Sequence, residues 1–191
     1  ARRLAGPGGA ISIGTNWTLR ALHPTFWLCV DRLVWISERG RILSPATETI
    51  GLIGRNVFGG GAYSTGEIRT LRLVGVSIRR LAMFDIGASP RGQVVGGVYQ
   101  SGMPRFFLPD RPTDKFYPVG NSVGFAIQWA HVMGASQIVL AGFTLQSGGE
   151  YFFSPKNPVT GRKTHYSASR VTPWLAWYES QHPGKVLRLE D

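Results

Sequence analysis

The chain has a single cysteine among its 191 residues, so no intrachain disulfide can brace it and a disulfide framework is excluded. That residue, Cys29, stands in the apolar run Phe26-Trp27-Leu28-Cys29-Val30, the setting of a buried thiol. Long hydrophobic runs are also missing. Charges and glycines interrupt each one short of the roughly 18 to 20 residues that a spanning helix needs, so no membrane span is expected. The four histidines, at 23, 131, 165 and 182, form no close ligand cluster with the cysteine, so metal chemistry has no support in the spacing. No Walker-type phosphate loop, no Gly-x-Ser-x-Gly elbow and no Gly-x-Gly-x-x-Gly behind the first strand is present. Gly6-Pro7-Gly8-Gly9 is too short to serve as one. Negative charge is scarce: 11 acidic residues face 21 basic ones, for a net charge of +10.

That imbalance points to anionic partners. Seventeen of the basic residues are arginines, whose planar forks suit phosphate and carboxylate. They are scattered rather than clustered, as a G+C-rich coding sequence would also leave them. The partners expected are a nucleotide together with an anionic acceptor or a nucleic acid. A hydrophobic fraction of 43% and a charged fraction of 17% exclude a disordered chain and fit a globular enzyme or virion component. The length suits one core, so 1–191 is expected to form a single domain. No secretory segment is visible and the chain opens at Ala1, which suggests a processed product or a piece of a longer precursor.

The most informative stretch runs from Asn121 to Phe143. Val123, Ala126, Ile127, Ala130 and Met133 recur at helical spacing, with Asn121 or Ser122 as cap and Gly134 as stop. Ile138 to Ala141 then lacks alternation, as expected of a parallel strand covered on both faces. The free amides after Gly120-Asn121-Ser122 would face an anion such as a nucleotide phosphate.

Further strands are expected at Ala10–Ile13, Phe26–Val30, Ile50–Ile53, Arg69–Val76, Val94–Tyr99 and Val186–Leu189. Trp17–Leu22 suits one or two helical turns, and Arg32–Ser37 a short helix or an extended segment. Thr172-Pro173 opens a last helix with Trp174, Trp177, Tyr178 and Gln181 on one face, and His182-Pro183-Gly184 closes it. Long loops span 56–66, 101–120 and 146–164. The alternation predicts an α/β fold: a Rossmann-like, mainly parallel sheet flanked by helices, with a β-rich middle section.

Several residues suit a site. His165 follows a basic, aromatic loop and is the best candidate general base, against the alternative of a loop histidine bonded to backbone. Asp31 ends a strand, where it would bind a ribose hydroxyl or substrate, or serve as an ordinary cap or salt-bridge partner. Asn16, in a strand-to-helix turn, suits base or ribose recognition. Tyr151-Phe152-Phe153 could stack on a sugar or base, or anchor their loop in the core. His131 lies off the apolar helix face and is expected to be structural or exposed.

Asn121-Ser122-Val123-Gly124 through Ile138-Val139-Leu140-Ala141-Gly142-Phe143 resembles the helix and strand motif of sialyltransferases. It also resembles bacterial, archaeal and phage proteins that include 6-hydroxymethylpterin pyrophosphokinase-like enzymes and flagellin-modifying glycosyltransferases. Ile11-Ser12-Ile13-Gly14-Thr15-Asn16 is similar to their second strand, whose terminal asparagine contacts the nucleotide, and Phe26 to Asp31 to the next strand with its terminal acid. His165-Tyr166 sits where sialyltransferases place the histidine that deprotonates the acceptor hydroxyl, whereas Arg170 replaces an acidic residue often found five positions later. The family's first strand and Gly-rich loop have no counterpart ahead of Ile11.

The resemblance implies a nucleotide-sugar-dependent glycosyltransferase, with a CMP-sugar among the candidate donors and His165 as base. Asn16, Asp31, Asn121, Ser122 and Gly124 would hold the nucleotide. An ATP-dependent diphosphotransferase is the second expectation, with Asp31 and Asp85 nearest to a magnesium site. A non-catalytic phage assembly or nucleic-acid-binding protein is the third. The host-cell cytoplasm or the virion is the expected location.

Overall fold

The computed structural model describes residues 10–44, 46–54, 57, 81–86, 94–95, 98–99, 106–119, 121–141 and 171–189. The chain gathers into two compact units, one of Ala1–Ile86 with Thr113–Lys115 and one of Gly87–Pro112 with Phe116–Asp191.

The first unit is built on four parallel strands in the spatial order of the chain: β1 (Ile13–Thr15), β2 (Phe26–Cys29), β3 (Ile50–Gly54) and β4 (Leu81–Phe84). Together with its helices this makes a mixed α/β, Rossmann-like fold, as the alternation of elements predicts. One row across the sheet shows how the sequence fixes it. Trp27 pairs in register with Gly14 on one side and Gly51 on the other, and Gly51 pairs with Leu81. A Cβ on Gly14 would meet Pro24 at 2.8 Å and Thr18 at 2.9 Å, and one on Gly51 would meet Leu81 at 2.6 Å. The two glycines therefore let neighbouring side chains close over the sheet. Trp27 is fully buried, its ring stacks on Trp35, and its Nε1 donates to the Asn16 carbonyl at 2.8 Å.

Trp35 belongs to α1 (Arg32–Ile42), which buries Val34, Trp35, Glu38 and Ile42. Asp31 caps this helix by accepting at Oδ1 from Leu33 N (2.7 Å) and Val34 N (3.4 Å). Glu38 is wholly buried. Its Oε1 accepts from Arg20 Nε (2.9 Å), Arg20 Nη2 (2.8 Å) and Ser37 Oγ (2.9 Å), and its Oε2 lies 3.2 Å from Arg41 Nε. Arg20 closes the 3₁₀ helix Asn16–Arg20 and lies over the Trp17 ring, so one carboxylate ties that helix to α1.

Two of the boundaries that differ from the sequence expectation have a cause in named side chains. β1 starts at Ile13 because Ser12 turns its hydroxyl to the Thr25 amide (2.9 Å). α1 continues past Ser37 because a charged residue, Glu38, occupies a core position that a hydrophobic pattern skips. β4 went unanticipated, and the strand expected at Arg69–Val76 lies outside the described residues.

In the second unit, β5 (Val94–Val95) and β6 (Val98–Tyr99) pair antiparallel where one strand was expected. Two helix–glycine–strand modules follow. α2 (Ser122–Val132) leads through Gly134 to β7 (Ile138–Leu140), and α3 (Val171–Gln181) leads through Gly184 to β8 (Val186–Arg188). Gly134 (φ +78°) and Gly184 (φ +72°) both hold the left-handed backbone that such helix exits need. β7 and β8 pair in parallel, Ile138 with Val186 and Leu140 with Arg188. Val139 is 50% exposed, which corrects the expectation of a strand covered on both faces.

The buried side of α2 is also not the one its sequence suggests. Phe125, Ile127, Gln128 and Trp129 are buried, whereas Val123, Ala126, Ala130 and Met133 are only partly covered. The helix is apolar all round, so the pattern does not choose a face; Gln128 does. Its side-chain amide accepts from Tyr117 N (2.7 Å) and donates to Tyr117 O (3.0 Å), clamping the segment before the helix as a strand would. Phe116 stacks on Trp129 at 4.9 Å beside this clamp.

Candidate functional site

The carboxyl ends of parallel strands are where open α/β sheets bind ligands, since the loops and helix starts that follow can be varied without disturbing the ladder. In the first unit this edge carries Asn16 after β1, Asp31 two residues beyond β2, and Asp85 after β4. β1 and β2 are adjacent, with Thr15 opposite Leu28, so Asn16 and Asp31 extend from neighbouring strands. Asn16 is the one non-glycine residue with positive φ (52°) among those described. Asparagine tolerates that conformation better than most residues, but it is still uncommon and costs energy that a glycine would not.

Asp31 spends Oδ1 on the two α1 amides, the capping alternative considered from sequence, and its side chain is exposed. Its carbonyl accepts from the Cys29 thiol at 3.3 Å. Burial pushes that thiol up to about 12, with the Asp31 and Glu38 charges adding to the effect against the hydrogen bond, so Cys29 is no nucleophile at neutral pH. β3 separates the strands that lead to Asp31 and Asp85. Among the described residues no group of three or more His, Cys, Asp or Glu is arranged to hold a metal ion.

Asn121, Ser122 and Gly124 come together in the first turn of α2, in the second unit. Asn121 Oδ1 accepts from Gly124 N at 2.8 Å, which takes up one of the amides that an anion would use. Ser122 is buried. A Cβ at Gly124 would meet Val119 Cγ2 at 2.3 Å, so the space a side chain would fill belongs to Val119. His165 and the aromatic run Tyr151-Phe152-Phe153 lie outside the described residues.

Spacing in the sequence gives His131 no partner, whereas the fold gives it several. At the end of α2, its Nδ1 lies 3.2 Å from the Tyr178 hydroxyl and 3.4 Å from Lys185 Nζ, and its ring centroid is 4.9 Å from that of His182. Burial holds His131 below its ordinary value of 6.5; Lys185 and His182 push the same way and Asp110 opposes them. Burial also raises the Tyr178 hydroxyl to about 12. Tyr178, His182 and Lys185 follow His131 by 47 to 54 residues in the chain, and no local spacing could have revealed their meeting.

No helix among the described residues is long and apolar enough to cross a membrane. No protein-family model matches the chain, and no curated protein or solved structure matches it.

Proposed function

We propose that the chain binds a nucleotide at the carboxyl edge of its four-stranded parallel sheet, as the donor substrate of a transferase that passes a sugar to a hydroxyl acceptor. The observation that carries this reading is Asn16. A polar residue that accepts a left-handed backbone immediately after the last residue of β1 is placed where a parallel sheet receives ligands. Asn16 opens a short 3₁₀ helix, and Trp27 Nε1 donates to its carbonyl from the neighbouring strand, which fixes the residue's backbone.

In this reading Asn16 contacts base or ribose, and the exposed Asp31 follows the end of the neighbouring strand β2. The reaction itself is a proposal from the sequence: His165 takes the acceptor proton as the hydroxyl attacks the sugar carbon, and the nucleotide phosphate leaves. Asn121, Ser122 and Gly124 belong to the second unit, where Asn121 caps α2 and Gly124 makes room for Val119, and the proposed site is the sheet edge of the first unit alone.

Asn16→Gly is the informative substitution. Glycine adopts φ near +52° without strain, so the side-chain amide is removed while the backbone is kept. The expected result is a stability within about 1 kcal/mol of the parent and a nucleotide affinity at least tenfold lower. Equal affinity in parent and variant overturns the placement.

A further inference from the structure

The two helix–glycine–strand modules of the second unit are joined at their turns by side chains as well as by the β7–β8 ladder. His131 stands at the end of α2, three residues before Gly134; Tyr178 and His182 stand at the end of α3; Lys185 follows Gly184. Lys185 is held by its backbone as well, its amide donating to the His182 carbonyl (3.2 Å) and its carbonyl accepting from Ile138 N (2.7 Å), the first residue of β7. One residue thus fastens the second turn to the first strand, and its ammonium lies against the imidazole that ends the first helix.

We infer that His131, Tyr178, His182 and Lys185 form an acid-sensitive clasp that holds the β7–β8 pair closed when His131 is neutral and loosens it when His131 takes a proton. Neutral imidazole has one ring nitrogen that accepts, and here Nδ1 faces two donors, the Tyr178 hydroxyl and the Lys185 ammonium. Protonation converts that acceptor to a donor. The tyrosine must then turn, and two cations face each other at 3.4 Å with a second imidazole close by. The groups acting on His131 from the elements around it are Lys185, His182 and Tyr178, with Asp110 the opposing carboxylate. Helix carbonyls at the ends of α2 and α3 favour positive charge to a small degree, as Asp110 does.

The sign follows from the lowered basicity of His131. Well above 6.5 it is neutral in both folded and unfolded chains and its titration does not change stability. As pH falls below that value the unfolded chain takes up the proton first, so stability declines until the folded form is protonated too.

The test is amide hydrogen exchange on the full chain at pH 7.5 and 5.5, corrected for intrinsic exchange, with the histidine ring protons followed by NMR. The amides of Ile138 and Leu189 report the clasped strands, bonding to Lys185 O and Leu140 O; those of Phe26 and Ile50 report the first unit. The expected result is a several-fold loss of protection at Ile138 and Leu189 on acidification and little change at Phe26 and Ile50. Lys185→Met should raise the titration midpoint of His131 and shrink the pH effect, and His131→Asn should abolish it. Equal protection at both pH values in the parent overturns the inference. So does an undiminished pH effect in Lys185→Met, a variant that removes only a partly exposed side chain's charge and serves even where His131→Asn does not fold.

Discussion

Among the residues that the sequence assigns to a nucleotide, Gly124 separates packing from ligand contact most sharply. Replacing it with alanine places a methyl group 2.3 Å from Val119 Cγ2, 2.8 Å from Val119 Cβ and 3.3 Å from Val119 Cγ1. Carbon atoms rest at about 3.5–4.0 Å, so either Val119, itself buried, or the first turn of α2 must move by more than 1 Å. Overpacking of this kind costs about 1–3 kcal/mol. Alanine returns up to about 1 kcal/mol through its better helix propensity, less in the first turn than in mid-helix. The net expectation is a loss of about 1–2 kcal/mol, or a fall in Tm of roughly 2–8 °C for a chain of this size. Val119→Ala alone removes buried methyl groups and should cost about 2 kcal/mol. The double variant should be more stable than the sum of the two, by about 1 kcal/mol, because the smaller residue at 119 vacates the space that the new methyl needs. Urea denaturation of the parent, both single variants and the double variant measures all four corners. A Gly124→Ala chain as stable as the parent, or strict additivity with Val119→Ala, would refute the steric account and return Gly124 to consideration as a close-approach residue for a ligand.

Other parts of the account are open to equally direct checks. Glu38→Ala leaves Arg20 without its carboxylate at the junction of α1 and the 3₁₀ helix and should destabilise by about 3–5 kcal/mol, whereas Arg41→Ala, at an exposed side chain, should cost about 1 kcal/mol or less; denaturation curves showing equal effects would contradict the buried role of Glu38. Cys29, fully buried and titrating near 12, should resist iodoacetamide at pH 8 in the folded chain and react once urea unfolds it, as followed by mass spectrometry; rapid labelling of the native protein would disprove its burial. Gln128→Leu keeps the volume but strands the Tyr117 amide and carbonyl, and should cost about 2–4 kcal/mol; a neutral result by thermal denaturation would show that the clamp contributes nothing.

Local chemistry was legible where it acts over a few residues. Gly134 and Gly184 announce the helix exits, Asn121 the start of α2, and the unbroken Phe26–Cys29 run a strand buried in a parallel sheet. What escaped is what depends on distant partners. The core face of α2 follows Gln128, whose purpose is visible only with Tyr117 beside it. The length of α1 follows Glu38, a core residue only because Arg20 reaches it from another element. Of the residues proposed for the nucleotide, the sequence identified the polar ones but not the work some already do: Asp31 and Asn121 cap helices, and Gly124 makes room for Val119. The left-handed backbone of Asn16 is likewise a feature that no sequence pattern shows.

The proposed nucleotide site rises or falls on a thermal-shift panel of CMP, UDP, GDP, ADP and ATP, each with and without magnesium, on the parent chain and on Asn16→Gly. A ligand present at about 100 times its Kd adds about 2.7 kcal/mol to a fold that alone binds it, or roughly 5–11 °C in Tm at this chain length. The account predicts a selective rise of that order with one nucleotide, lost in Asn16→Gly, and the responding base would name the donor class. A flat panel with a folded protein, or a rise that Asn16→Gly retains in full, would contradict it.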